Sequence, residues 1–132
     1  MKALGGRPVL IAHGAAANEA FRLAVVDPQA VNALVVADYV PGPGPADHTR
    51  VRLPIMLLRG RQGSIMDHAS AVRLREAIPS SRLIEPEDCG DWPFGSCSSA
   101  AAEAVRWFVA GLSSPYLDFA MTGEGEPVDP RA

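Results

Sequence analysis

Two aspartates, Asp38 and Asp91, and a turn that lacks a reactive side chain are the parts of this sequence best placed to do chemistry. Asp38 follows the apolar run Val31-Asn32-Ala33-Leu34-Val35-Val36-Ala37. At the end of such a strand, loss of water makes a carboxylate a better proton acceptor. Asp91 stands in Cys89-Gly90-Asp91-Trp92-Pro93-Phe94, on a loop. Two acids facing one pocket could hold one proton between them. Each also has a plainer role, Asp38 as the cap of the next turn and Asp91 as a solvated loop acid. The turn is Ala12-His13-Gly14-Ala15-Ala16, between an apolar strand at about residues 8–12 and an amphipathic helix at about 15–26. An elbow of the pattern G-x-S-x-G exposes a nucleophile at its centre, above the sheet. Here the centre is Gly14, which has no side chain. Such an elbow still has backbone N–H groups at a helix N-terminus, those of Gly14 and Ala15, which can bind an anion. The missing side chain would leave room for sulfate or phosphate on a substrate. A glycine needed only for a strained turn would read the same way.

The neighbouring residues are weaker candidates. His13, Trp92 and Phe94 are expected to line the pocket, His13 in a mainly structural role and the two aromatics as lining or interface. Arg59, Arg61 and His68 read as surface residues, although an arginine there could hold an anion. Ser64 has no evident base beside it. Cys89 and Cys97 read as a thiol pair rather than a disulfide framework, and with three scattered histidines they lack zinc-site spacing. Neither a metal nor an organic cofactor is expected.

Four apolar strands and three helices must position these residues. After the elbow helix and the second strand, Pro41-Gly42-Pro43-Gly44-Pro45-Ala46 can be neither helix nor strand. A third strand is expected over about residues 53–60, a helix over 67–78 and a short strand over 82–86. Residues 87–98 read as a loop and about 99–112 as a last helix with Ala100, Ala101, Ala104, Val105, Phe108 and Val109 as its inner stripe. Residues 1–112 thus form one domain, and 113–132 a polar tail expected to be partly disordered, with Tyr116, Leu117 and Phe119 able to dock on a neighbour. Near-continuous apolar strands alternating with helices imply a doubly wound α/β architecture, a parallel sheet covered on both faces.

The 132 residues are 48% hydrophobic and carry a formal charge of −3, which gives no electrostatic case for nucleic acid or an anionic membrane. No apolar run approaches the roughly 18 residues of a membrane span. The opening residues lack the apolar stretch of a secretory signal, so the expected compartment is the cytoplasm.

In this order of elements the chain resembles the C-terminal half of an α/β hydrolase, and within that superfamily it is most similar to haloalkane dehalogenases. The likeness rests on Val9-Leu10-Ile11-Ala12-His13-Gly14, on the strand ending at Asp38, and on Pro54-Ile55-Met56-Leu57-Leu58 with Gln62-Gly63-Ser64-Ile65. It covers about residues 8–111. In that comparison Gly14 replaces the nucleophilic carboxylate, Ala15 the tryptophan that helps hold the halide, and Asp91 the histidine that activates water. Only Asp38 matches a catalytic residue in kind. The helical cap is reduced to the Pro-Gly linker, and the N-terminal half of the fold is missing. The resemblance therefore implies a second protein chain that supplies the missing strands, an obligate heteromer, with the strand at residues 8–12 as an open edge. It also implies a split enzyme without covalent hydrolysis. Asp91 or Asp38 would deprotonate a group of a small-molecule or carrier-bound substrate, which closes a ring and expels an anion near Ala15. Dehalogenase-like heterodimers that form aziridines by expelling sulfate, in actinomycete natural-product pathways, are similar in this respect. The competing expectations are a non-catalytic module that stabilises or regulates a partner enzyme, and a hydrolase assembled from two chains.

Overall fold

The computed structural model describes residues 7–41 and 47–112. Most of the Pro-Gly linker and all of the expected tail lie outside the described residues. The elements are β1 (Val9–His13), α1 (Ala16–Val26), β2 (Ala33–Ala37), a 3₁₀ turn (Asp47–Arg50), β3 (Ile55–Leu58), α2 (His68–Ala77), β4 (Ser81–Ile84), α3 (Pro93–Ser96) and α4 (Ser98–Gly111). The four strands form one parallel sheet in the order β1-β2-β3-β4.

Local chemistry sets the helix ends. α1 stops before Asp27-Pro28, where the Asp27 N–H donates to the Leu23 carbonyl at 2.8 Å and the residue before proline is disfavoured in the helical region. The Asp67 carboxylate caps α2 by accepting from the Ser70 N–H at 2.8 Å. Pro79 ends the same helix on its C-terminal side.

Alternate residues of the buried strands feed two cores. Ala12, Leu34, Val36, Ile55 and Leu57 meet Ala17, Phe21 and Ala24 of α1 and Ala71 and Leu74 of α2. The β1–β2 and β3–β4 crossovers step the same way across the sheet and so place both helices on the same face. Val35, Ala37, Met56 and Leu58 meet Ala101 and Phe108 of α4 on the other face. Burying a side chain such as Phe21 or Phe108 contributes about 1.5–3 kcal/mol each. The sheet is therefore covered on both faces, as its apolar runs require.

The two sheet edges differ. β2 and β3 are buried throughout, whereas β1 is mostly half-buried and its Ile11 is 48% exposed. On the opposite edge, the Arg82 guanidinium of β4 packs over the Trp107 ring at 4.9 Å. Among the described residues, the apolar open edge is thus β1.

Two sequence expectations need correction. The loop at 87–98 contains the single-turn helix α3, whose proline at the first helical position suits a helix start. Cys89 and Cys97 are not a thiol pair but a disulfide, with Cα atoms 5.3 Å apart. Helix α3 folds the chain back between them and brings the cysteines within bridging distance.

Candidate functional site: the carboxyl-terminal rim of the sheet

Parallel strands bring their C-terminal ends to one rim, and register decides which residues meet there. His13 pairs with Ala37, and Ala37 with Leu58, so His13, Asp38 and Arg59 leave three adjacent strands at nearly the same level. His13 Nε2 lies 2.9 Å from Asp38 Oδ2. The Asp38 side chain is 1% exposed and that of His13 36%. The same Asp38 oxygen accepts the Trp92 backbone N–H at 2.7 Å. In the tautomer that donates Nε2–H to this buried carboxylate, the imidazole keeps a lone pair on Nδ1 that can accept a proton. A carboxylate in this position orients the ring and stabilises the imidazolium that forms.

The backbone around this pair is strained. Asp38 has φ 52° and Trp92 φ 56°, the positive-φ non-glycine residues of the described chain. Left-handed conformations at such residues cost about 1–3 kcal/mol each and cluster at functional sites. Trp92 is 45% exposed and lies edge-on to His13, with ring centroids 4.3 Å apart. Its other edge contact is Phe94, at 5.5 Å. The three residues expected to line the pocket are therefore together, and His13 also takes part in the hydrogen-bonded pair.

The elbow has the expected shape and only part of the expected donors. Gly14 has φ 61°, and a Cβ placed on it would meet nothing within 4 Å. The space above the elbow is open. The Gly14 N–H, however, donates to the Ala37 carbonyl at 2.9 Å, so it is committed to the sheet. Ala15, the residue that precedes α1, carries the other amide of the expected pair.

Asp91 lies in a different setting. Its Oδ1 accepts the Ser64 and Ile65 backbone N–H groups at 2.9 Å each, and its Oδ2 the Ser64 hydroxyl at 3.0 Å. The Ile65 amide above all, then the Ser64 hydroxyl and amide, hold its carboxyl below the usual carboxylate range against a smaller opposing effect of burial. A carboxylate stabilised this way is a poor proton acceptor. It works as a clamp between the loop after β4 and the turn after β3. This clamp supports a role different from the general base expected of Asp91. The two acids also have separate donors, so the structure shows no proton held between them.

Arg59 is buried, contrary to its reading as a surface residue. Its guanidinium is engaged by Glu85 at 2.7 Å and by the Met66 carbonyl. Glu85 in turn meets His68 Nδ1 at 2.8 Å. The charge sits inside the rim and supports the 59–66 turn that presents the Asp91 donors. Among the described residues no group of histidine, cysteine or acidic side chains could hold a metal ion.

No family model and no curated protein matches the chain. Solved structures do. A serine hydrolase involved in carbazole degradation superposes with a TM-score of 0.73 at 12% identity over 80% of this chain and 64% of its own. A thermophilic esterase from Thermogutta terrifontis gives 0.71 at 12% identity, with 83% and 67% covered. A CIB-like hydrolase from Thermoplasma acidophilum gives 0.64 at 14%, with 86% and 52% covered. The chain spans about half to two thirds of the length of these structures. At such identities the likeness establishes architecture alone. Together with the four parallel strands and the helices on both faces, it makes this chain a partial α/β-hydrolase fold.

Proposed function

We propose that this chain is one part of a split, dehalogenase-like enzyme that closes a small ring by intramolecular displacement and expels an anion such as sulfate. The observation that carries the reading is the His13–Asp38 pair beside an elbow whose central residue has no side chain. Among the described residues the elbow presents no nucleophilic side chain beside this proton acceptor, and in this reading the nucleophile belongs to the substrate. His13 would take a proton from a substrate amine or hydroxyl, with Asp38 stabilising the imidazolium. The freed lone pair attacks a neighbouring carbon, the bond from that carbon to the leaving group breaks, and the anion departs near the Ala15 amide. Sulfate leaves with the bonding pair, and the ring product is lighter by the elements of sulfuric acid.

A second polypeptide supplying the remaining strands belongs to the same proposal. It is supported by the open, apolar β1 edge, an arrangement that invites strand pairing. The test is coexpression with a dehalogenase-like protein, followed by incubation of the complex with sulfated amino alcohols. Equimolar release of sulfate and ring product is the expected result. A complex that forms but releases neither would move the chain to the alternative, a non-catalytic module stabilising or regulating its partner. The committed Gly14 amide and the clamped Asp91 favour that alternative.

A further inference from the structure

We propose that the Cys89–Cys97 disulfide is a redox-sensitive clip that holds the rim loop against Asp38, and that a dithiol reductant releases it. The bridge joins residues eight apart, and the segment between them carries the Trp92 N–H bound to Asp38 and the Asp91 carboxylate bound to the 64–65 turn. Inside the segment Pro93 is buried and Phe94 packs against the second core, but regular structure is short. α3 is a single four-residue turn without a side-chain cap, and its preceding residue, Trp92, is left-handed. A helix that short is not stable on its own. Other ties within the segment include the Gly90 N–H to Ser96 Oγ at 3.2 Å, the Gly95 and Ser96 N–H groups to the Trp92 carbonyl at 2.9 Å each, and the Cys97 N–H to the Pro93 carbonyl at 2.9 Å, all of them short-range. The base of the loop is tightly seated. The Gln62 N–H donates to the Cys89 carbonyl at 2.8 Å, and a Cβ at Gly60 would collide with the Gly90 carbonyl.

The two sulfurs are unequally accessible, since Cys89 is fully buried and Cys97 is half-buried. A reductant thiolate therefore attacks the Cys97 sulfur. The disulfide bond breaks, its electron pair passes to Cys89, and that sulfur takes up a proton. The second thiol of the reductant then displaces Cys97 from the mixed disulfide. The protein gains two electrons and two protons, and the reductant becomes its own disulfide. Once released, the strained Trp92 relaxes, Asp38 loses its backbone donor, and His13 loses its edge contact with the Trp92 ring. Any consequence for catalysis rests on the ring-closure reading. The response of the loop does not.

Hydrogen exchange on the full chain, with and without dithiothreitol, tests this with no substrate present. The air-oxidised chain is expected to have no free thiol and to gain two hydrogens on reduction. Exchange across residues 91–97 should then rise about tenfold or more while β2 and β3 stay protected. The Cys97→Ser variant should match the reduced protein and ignore dithiothreitol. Two free thiols in the oxidised chain, or equal protection of the segment before and after reduction, would overturn the proposal. If the variant does not fold, the comparison of oxidised and reduced wild-type protein decides alone.

Discussion

The carboxylates of Asp38 and Asp91 differ in their partners. Asp38 is buried and shared between one imidazole and one amide, whereas three donors of a single turn fix Asp91. The Asp91 arrangement predicts a specific dependence of stability on pH. Its folded-state pKa lies below the ordinary aspartate value of 3.8, so its contribution is fully present above that value and is lost as pH falls through the folded pKa. Asp67, lowered by its cap on Ser70, acts with the same sign. Denaturant midpoints measured from about pH 6 to pH 2 should therefore fall less steeply in Asp91→Asn than in the wild type, with the Asp67 part of the slope retained. Identical slopes would show that the Asp91 clamp contributes nothing. Asp38 is legible in the sequence because a polar residue closing an apolar strand is conspicuous. The pairing of His13 with it is not, because it depends on the register that puts His13 level with Ala37. The Asp91 donors are hidden for another reason: they are backbone amides, and residue types do not display them.

The elements themselves were largely readable, since β2 and β3 are unbroken apolar runs and α1, α2 and α4 have apolar stripes at helical spacing. Their ends shifted by one or two residues, as helix and strand ends commonly do. The short α3 and the disulfide escaped because a Gly- and Pro-containing stretch has no periodicity to read, and cysteine spacing alone cannot tell a bridge from two thiols. The open edge of β1 leads to a prediction for that element. Ile11 of this edge strand is half-exposed. Ile11→Lys places a charge on an apolar edge, a substitution that blocks strand pairing. Light scattering of the isolated chain should show reduced self-association in the variant, and capture of a partner through this edge should weaken at least tenfold. Unchanged association in both assays would place any partner elsewhere.

At the scale of the whole molecule, the sheet brings a buried acid, a half-exposed histidine and an empty elbow to one rim, and among the described residues it leaves one apolar edge uncovered. Under the proposed function those features make a proton-accepting half-site completed by a substrate nucleophile and by further strands. The scaffold alternative keeps the same fold and makes the rim inert. The two readings separate on the Asp38 carboxylate, whose replacement by an amide preserves size while removing the charge that supports the imidazolium. The most direct measurement is the rate of ring product and sulfate formation by the partner complex carrying Asp38→Asn, with complex formation followed in parallel. General-base catalysis is typically worth roughly 10²–10⁴ in rate. The rate should fall by that order while the complex still assembles, and an undiminished rate in the assembled Asp38→Asn complex would contradict the assignment of the proton acceptor to this chain.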